Sequence, residues 1–419
     1  MKLKIPQNMI PIGFLCLYFT TKLLWDSLVP YIFELLSLVL LGYGIIMFFV
    51  KDFKKSNVGL VLLYLLLSIY VLFNAFIQDT SQQFNRAIYE YLFYTAIFFA
   101  VYYYSKEVEI FKLAKFLYTI GIILAILSWY EYLTKSYIIG SFAKGGNYTT
   151  FLSGFRAAVF SRSYLSHGVV LGFFSLVAYY LFICTGKKIY VVSTFLLFIS
   201  ILTTGSRGPL VSTFAALILA YIMNQYRVAK CIDRIVAIWI IIAIIALTVW
   251  LFLNSTFTTG NESMDYFLYK IRNIINWTGD AGNVGRIVIW NKSIKLFQSN
   301  VWFGIGPSKT GSWGSGSLGV TESGVLKRLC ELGITGFVLC YLFIGLQLRN
   351  SVRIYKQMEE KREMIFLFSI VIMVLINDLT LQSTEEIMVS FILWFGLGGL
   401  AIQILKKKKY HLPFARLRI

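Results

Sequence analysis

The sequence predicts an all-α, polytopic membrane protein with about twelve transmembrane helices, because three features each point to lipid as the solvent. Of its 419 residues, 58% are hydrophobic, and the mean hydropathy is +0.71. Apolar segments recur from Ile10 to Leu405 with short polar breaks. Lysine and arginine gather in alternate breaks, the pattern that the positive-inside rule imposes.

A bilayer core about 30 Å thick requires roughly 20 helical residues per span. Runs of suitable length fall near 9–28, 30–50, 58–77, 87–104, 113–134, 164–184, 189–204, 208–223, 235–253, 329–348, 364–382 and 387–405. The seventh and eighth form a pair. From Ile189 to Tyr226 the one charged residue is Arg207, in ILTTGSRGPLV. That run is too long for one span, and Gly205, Gly208 and Pro209 are turn-formers. It reads as a helical hairpin with Arg207 at its tip. The whole chain, 1–419, is expected to form a single membrane domain. It carries an external basic loop at 135–163 and a large external loop at 254–328, between the ninth and tenth spans.

With MKLKIPQ on the cytoplasmic side, KDFKK, SKEVEIFK, TGKK, NQYRVAKCIDR, RNSVRIYKQMEEKRE and the KKKK tail all fall inside. Both termini are then cytoplasmic. The net charge of +19 is in this reading mostly topology. A nucleic-acid footprint would gather cations on one face, and here they are spread over loops, so no nucleic-acid partner is expected. The chain has five cysteines and two histidines, with no disulfide framework and no metal-ligand spacing. No metal and no cofactor is expected.

This topology puts Arg207 on the outer face. An arginine at a turn can snorkel to headgroups and cap carbonyls. Beside the first N–H groups of a helix, it also forms an anion site whose planar fork suits phosphate. The ionisable residues inside spans, Lys22, Glu34, Glu90, Glu131 and Asp378, all fall in the outer third. Arg86 and Glu90 form an i,i+4 pair, as do Lys22 and Asp26. None sits at the midplane where transporters hold their substrates, which weighs against transport.

Loop 135–163 carries Lys135, Lys144, Arg156 and Arg162 and no acid. A phosphate-bearing ligand or anionic headgroups fit it equally. In the larger loop, MDYFLYKIRNIINW has the spacing of an interfacial helix, and GRIVIWNKSIKLF predicts a second helix. The glycine-rich FGIGPSKTGSWGSGSLG permits close backbone approach but lacks the Walker spacing. Glu322, in VTESGVLKRLCELGITGF, stands at a helix mouth. Two readings of it are open: an acid favoured by the helix dipole, or a general base facing the outer cavity. His167 lies at the outer end of the sixth span.

The order of these features, FRAAVFSRSYLSHG, TGSRGP, GRIVIWNKSI, FGIGPSK and ESGVLKRLCELGITG, resembles the O-antigen ligase and polymerase superfamily over roughly residues 150–345. The resemblance implies a helical fold like that of the GT-C glycosyltransferases. It also implies an undecaprenyl-pyrophosphate-linked oligosaccharide as donor, bound from the outer face of the bacterial inner membrane, with neither metal nor nucleotide sugar. Arg156, Arg207 and Arg286 match the family's arginines and are assigned to the pyrophosphate. The ligases carry His-Asn where this sequence has Glu322-Ser323, so the resemblance points to the polymerase branch, for O-antigen or capsule repeat units. Glu322 is the first candidate base and His167 the second. The alternatives are a ligase acting on lipid A core and, in another class, a carrier or flippase of lipid-linked sugars. The resemblance leaves room for a chain-length regulator as a partner.

Overall fold

The computed structural model describes residues 9–21, 31–53, 58–78, 81–106, 108–138, 155–159, 161, 163–228, 281–311, 319, 321–355, 357 and 361–410. The expected span at 235–253, the interfacial helix in MDYFLYKIRNIINW, Lys22, Arg162 and most of loop 135–163 lie outside these residues. Among the described residues the secondary structure is helical throughout, without strands. The helices are α1 (Met9–Thr21), α2 (Tyr31–Met47), α3 (Val58–Gln78), α4 (Ser81–Ala87), α5 (Tyr94–Tyr104), α6 (Ile110–Thr134), α7 (Tyr164–Thr185), α8 (Lys188–Ser200), α9 (Arg207–Val228), α10 (Ala281–Ser299), α11 (Gly324–Tyr355), α12 (Arg362–Thr380) and α13 (Ile387–Tyr410). Eight described helices are long and apolar enough to cross a membrane, and the shorter apolar stretch Lys188–Thr204 adjoins them. The chain is a polytopic membrane protein.

Burial sorts these helices. In α13, 89% of the most apolar window is buried, and in α7 72%, against 28% in α9 and 33% in α3. So α7, α12 and α13 form the centre, with α5 packed on α13 and α9 on both α7 and α12. On the periphery, α3 turns Leu62, Leu66, Ile69, Phe73 and Phe76 outward, which only lipid solvates without penalty.

Small residues set the central spacing. Gly168 and Gly172 lie one turn apart on α7, facing α9. A Cβ at Gly168 would come within 2.9 Å of the Pro209 ring, and one at Gly172 would collide with the Thr213 hydroxyl. Backbones approach this closely in membranes because packing and hydrogen bonding, rather than hydrophobic exclusion, drive helix association.

The connections separate two ends. At one, Asp52 of KDFKK pairs with Lys106 of SKEVEIFK, and Arg362 donates to the Cys184 carbonyl at 3.4 Å. Segments of one predicted side therefore meet one another. The candidate site residues gather at the other end.

Candidate functional site

At that end the hairpin tip comes first. After α8 a 3-10 turn covers Ile201–Thr204. Gly205 then takes φ 62°, a left-handed conformation that glycine adopts without steric cost, and Arg207 begins α9. The Ser206 N–H donates to Thr204 Oγ1 at 3.2 Å, closing the turn.

The segment 155–159 lies across this tip. The Ala157 N–H donates to the Thr203 carbonyl at 2.9 Å. The Arg156 guanidinium stacks 4.5 Å from the Tyr164 ring centroid, and its side chain crosses Gly205 so closely that a Cβ there would sit 3.3 Å from Nε. Buried Glu131 anchors the segment from below. Its carboxylate accepts from the N–H groups of Ala158 at 3.0 Å, Val159 at 2.8 Å and Ile138 at 3.0 Å. Tyr137 packs on Phe155 with ring centroids 4.6 Å apart, and burial pushes its phenol up to about 12, so it stays protonated. Arg156 and the Arg207 turn are thus one assembly.

His167 lies beneath it, 1% exposed. Its Nε2 is 2.6 Å from Ser128 Oγ and its Nδ1 3.2 Å from Ser161 Oγ, while Thr203 donates to Ser128 at 3.3 Å. Both ring nitrogens are engaged, and the imidazole ties α6, α7 and the hairpin together rather than facing outward.

The second half of the site lies at the start of α11. Glu322 has φ 52°, and its Oε2 is 3.6 Å from Arg286 Nε on α10, both side chains about a third exposed. Trp290, one turn further along α10, donates from Nε1 to the Glu322 carbonyl at 3.3 Å. The helix cap belongs to Ser323, whose Oγ accepts from the Leu326 N–H at 3.4 Å, the Ncap-to-N3 bond. Glu322 precedes the cap, and its carboxylate turns to Arg286.

The last turn of α12 joins the two halves. A Cβ at Gly208 would lie 3.1 Å from Asn377 Oδ1 and 2.9 Å from Leu381 Cδ1. On the other side, Gly324 packs against the Asp378 carboxylate, and its N–H donates to the Leu381 carbonyl at 3.3 Å. Neighbouring residues, Asn377 and Asp378, therefore touch the Arg207 helix start and the Glu322 helix start.

Sequence reasoning did not reach two features of this region. One is unmet polar demand: Ser206 Oγ, Ser383 Oγ and both amide atoms of Asn377 are buried without a hydrogen-bond partner among the described residues. Buried polar atoms are almost always paired, so these point to something polar binding there. The other is an ionic cluster beneath. Lys327 is 2.8 Å from Glu90, 3.7 Å from Glu331 and in contact with Glu385, while Arg86 holds Glu90 at 2.7 Å. Glu331 also accepts from Tyr91 Oη at 2.5 Å and the Ser308 and Thr310 N–H groups at 2.8 Å each. Arg328 pairs with Asp378 at 2.5 Å and donates to Thr384 Oγ1 at 2.6 Å. A cavity of about 50 Å³ lies among these groups. The i,i+4 spacing of Lys327 and Glu331 just before a long apolar run is the sequence signal that marks the cluster.

Close backbone contact in the glycine-rich stretch is observed in its described part. The Ile305 N–H donates to the Cys330 carbonyl at 2.8 Å, and the Ile334 N–H to the Val301 carbonyl at 2.8 Å. Gly304 and Gly333, at φ 70° and 61°, face each other's segments with no room for a side chain.

Fold and site together define a helical membrane protein that gathers arginines and a carboxylate at one end of its bundle. Residues 192–341 match the family model described as O-antigen ligase, which bears out the resemblance to the O-antigen ligase and polymerase superfamily. The matched stretch contains Arg207, Arg286 and Glu322, whereas Arg156 and His167 precede it. A comparison with curated proteins finds no match.

Proposed function

We propose that the protein is a polysaccharide polymerase, transferring an undecaprenyl-pyrophosphate-linked oligosaccharide onto the non-reducing end of another. It does so at the outer face of the bacterial inner membrane, with both of its own termini cytoplasmic. The observation that carries this reading is the convergence on one turn of α12. The Arg156–Arg207 assembly meets one side of that turn and the Glu322 helix start the other, and Glu322 in turn faces Arg286.

In the reaction, a hydroxyl oxygen of the acceptor sugar attacks the anomeric carbon of the donor. The bond from that carbon to the pyrophosphate oxygen breaks, and undecaprenyl pyrophosphate leaves. Arg156, Arg207 and Arg286 bind the phosphates, and their charge stabilises the anion that develops. Glu322 takes the hydroxyl proton. A bound pyrophosphate draws Arg286 away from Glu322 and leaves the carboxylate free to act. Asn377 and Ser206 offer hydrogen bonds to sugar hydroxyls beside the arginines. A chain-length regulator is a fitting partner for such a reaction.

The description of the matching family favours a second reading, a ligase transferring finished glycan to lipid A core. Deleting the gene in its host separates the two. Loss of long chains with a single repeat unit still attached to the core supports the polymerase. Loss of all attached glycan supports the ligase.

A further inference from the structure

A second cavity, of about 210 Å³, lies at the opposite end of the bundle from Arg207. Part of its wall is apolar, including Phe48, Leu60, Phe98, Phe99 and Ile404. Three polar residues of α11 also line it: Gln347, Asn350 and Arg353. They recur every third residue and so share one helix face. Gln347 is 1% exposed, and its Nε2 is buried without a hydrogen-bond partner among the described residues. Arg353 is exposed, about 9 Å nearer the helix end at 1.5 Å per residue. Among the described residues no carboxylate lines the cavity. The α2 backbone passes here into a π-turn, Phe48–Asp52, a distortion often found at binding sites.

These features describe a site for an amphiphile. The apolar part of the wall favours hydrocarbon, and the buried amide donor needs an acceptor. A ligand with a hydrocarbon chain, an acceptor oxygen at depth and an anionic group at the mouth meets all three conditions. We propose that the cavity binds one anionic phospholipid from the surrounding bilayer. Its phosphate meets Arg353, an ester oxygen accepts from Gln347 Nε2, and part of an acyl chain fills the space between Phe98 and Ile404. Lys406, next to the lining residue Leu405 on α13, adds positive charge near the mouth.

The test uses full-length protein purified in detergent, with native mass spectrometry and thermal unfolding as readouts. The probes are phosphatidylglycerol, phosphatidylcholine and inorganic phosphate. The proposal expects one retained phosphatidylglycerol and a higher unfolding temperature with it than with either other probe. Arg353→Gln and Gln347→Leu should each weaken phosphatidylglycerol retention roughly tenfold, the value of one hydrogen bond to a charged or buried group. Ala401→Trp, which fills the cavity from α13, should abolish it. Should Ala401→Trp not fold, Gln347→Leu, nearly equal in size, decides the matter. Equal effects of phosphatidylglycerol and phosphatidylcholine on the wild type would overturn the proposal. So would an equal effect of phosphate alone, or undiminished retention by Gln347→Leu.

Discussion

Replacing Glu322 by glutamine tests the chemistry with little disturbance of the fold, and the structure says why. The carboxylate lies 3.6 Å from Arg286, with both side chains about a third exposed. Ion pairs of that kind contribute about 0–1 kcal/mol. The helix cap is made by Ser323, so the amide leaves the cap intact. The Trp290 bond goes to the Glu322 backbone carbonyl and survives as well. Glutamine also retains the backbone preferences of a side-chain-bearing residue at φ 52°, which glycine would not. The expected loss of stability is therefore about 1 kcal/mol or less, whereas losing a general base slows a reaction by about 10² to 10⁴-fold. The assay is the ladder of chain lengths on a gel at matched protein level, beside thermal unfolding of the purified variants. Short or absent chains with a near-normal unfolding temperature are expected. Ser323→Ala should do the reverse, costing about 1 kcal/mol through the lost cap while chain extension persists. A normal ladder from Glu322→Gln would refute the assignment of the base.

Arg207→Lys and Arg286→Lys should each leave partial extension at best, because a point charge cannot reproduce the bidentate fork; full-length ladders from both would contradict a phosphate-binding role. Asn377→Leu should leave the unfolding temperature unchanged or raise it, since it removes unpaired buried polar atoms, while shortening the ladder; a marked fall in stability would show that the amide serves the fold instead. Lys327→Met should cost about 3–5 kcal/mol, because three carboxylates lose their shared cation; the readout is thermal unfolding in detergent, and an unchanged midpoint would count against the cluster. Cysteines placed at 148 and 207 in a cysteine-free background should react with an impermeant reagent from outside and one at 187 should not; the opposite pattern would invert the topology.

The helices were legible because the bilayer sets their length. Runs at 58–77, 113–134, 164–184 and 387–405 correspond to Val58–Gln78, Ile110–Thr134, Tyr164–Thr185 and Ile387–Tyr410. The tenth run, 329–348, does not match one helix, because Gly324–Tyr355 is broken at Gly333, whose φ 61° and ψ −170° are non-helical, and hydropathy does not register such a break. The π-segments Phe48–Asp52 and Ile88–Phe93 have no signature in composition. The hairpin tip was legible from Gly205, Gly208 and Pro209, since turn residues act locally. The meeting of Glu322 with Arg286 was not, because a salt bridge between residues on separate helices depends on how those helices pack. For the same reason a first-turn role for Glu322 looked as good as any in the sequence, although the adjacent Ser323 makes the cap. Asn377 gave no sign at all, because an unpaired buried amide is recognised only when its surroundings are known.

The central claim is that this end of the bundle makes a glycosidic bond at the expense of a pyrophosphate-linked donor. The most direct measurement is turnover by purified protein in liposomes supplied only with undecaprenyl-pyrophosphate-linked oligosaccharide. The account predicts glycans lengthened by whole repeat units, one undecaprenyl pyrophosphate released per unit added, and no product from Arg207→Ala. Movement of the lipid-linked sugar across the bilayer with no new glycosidic bond would contradict it.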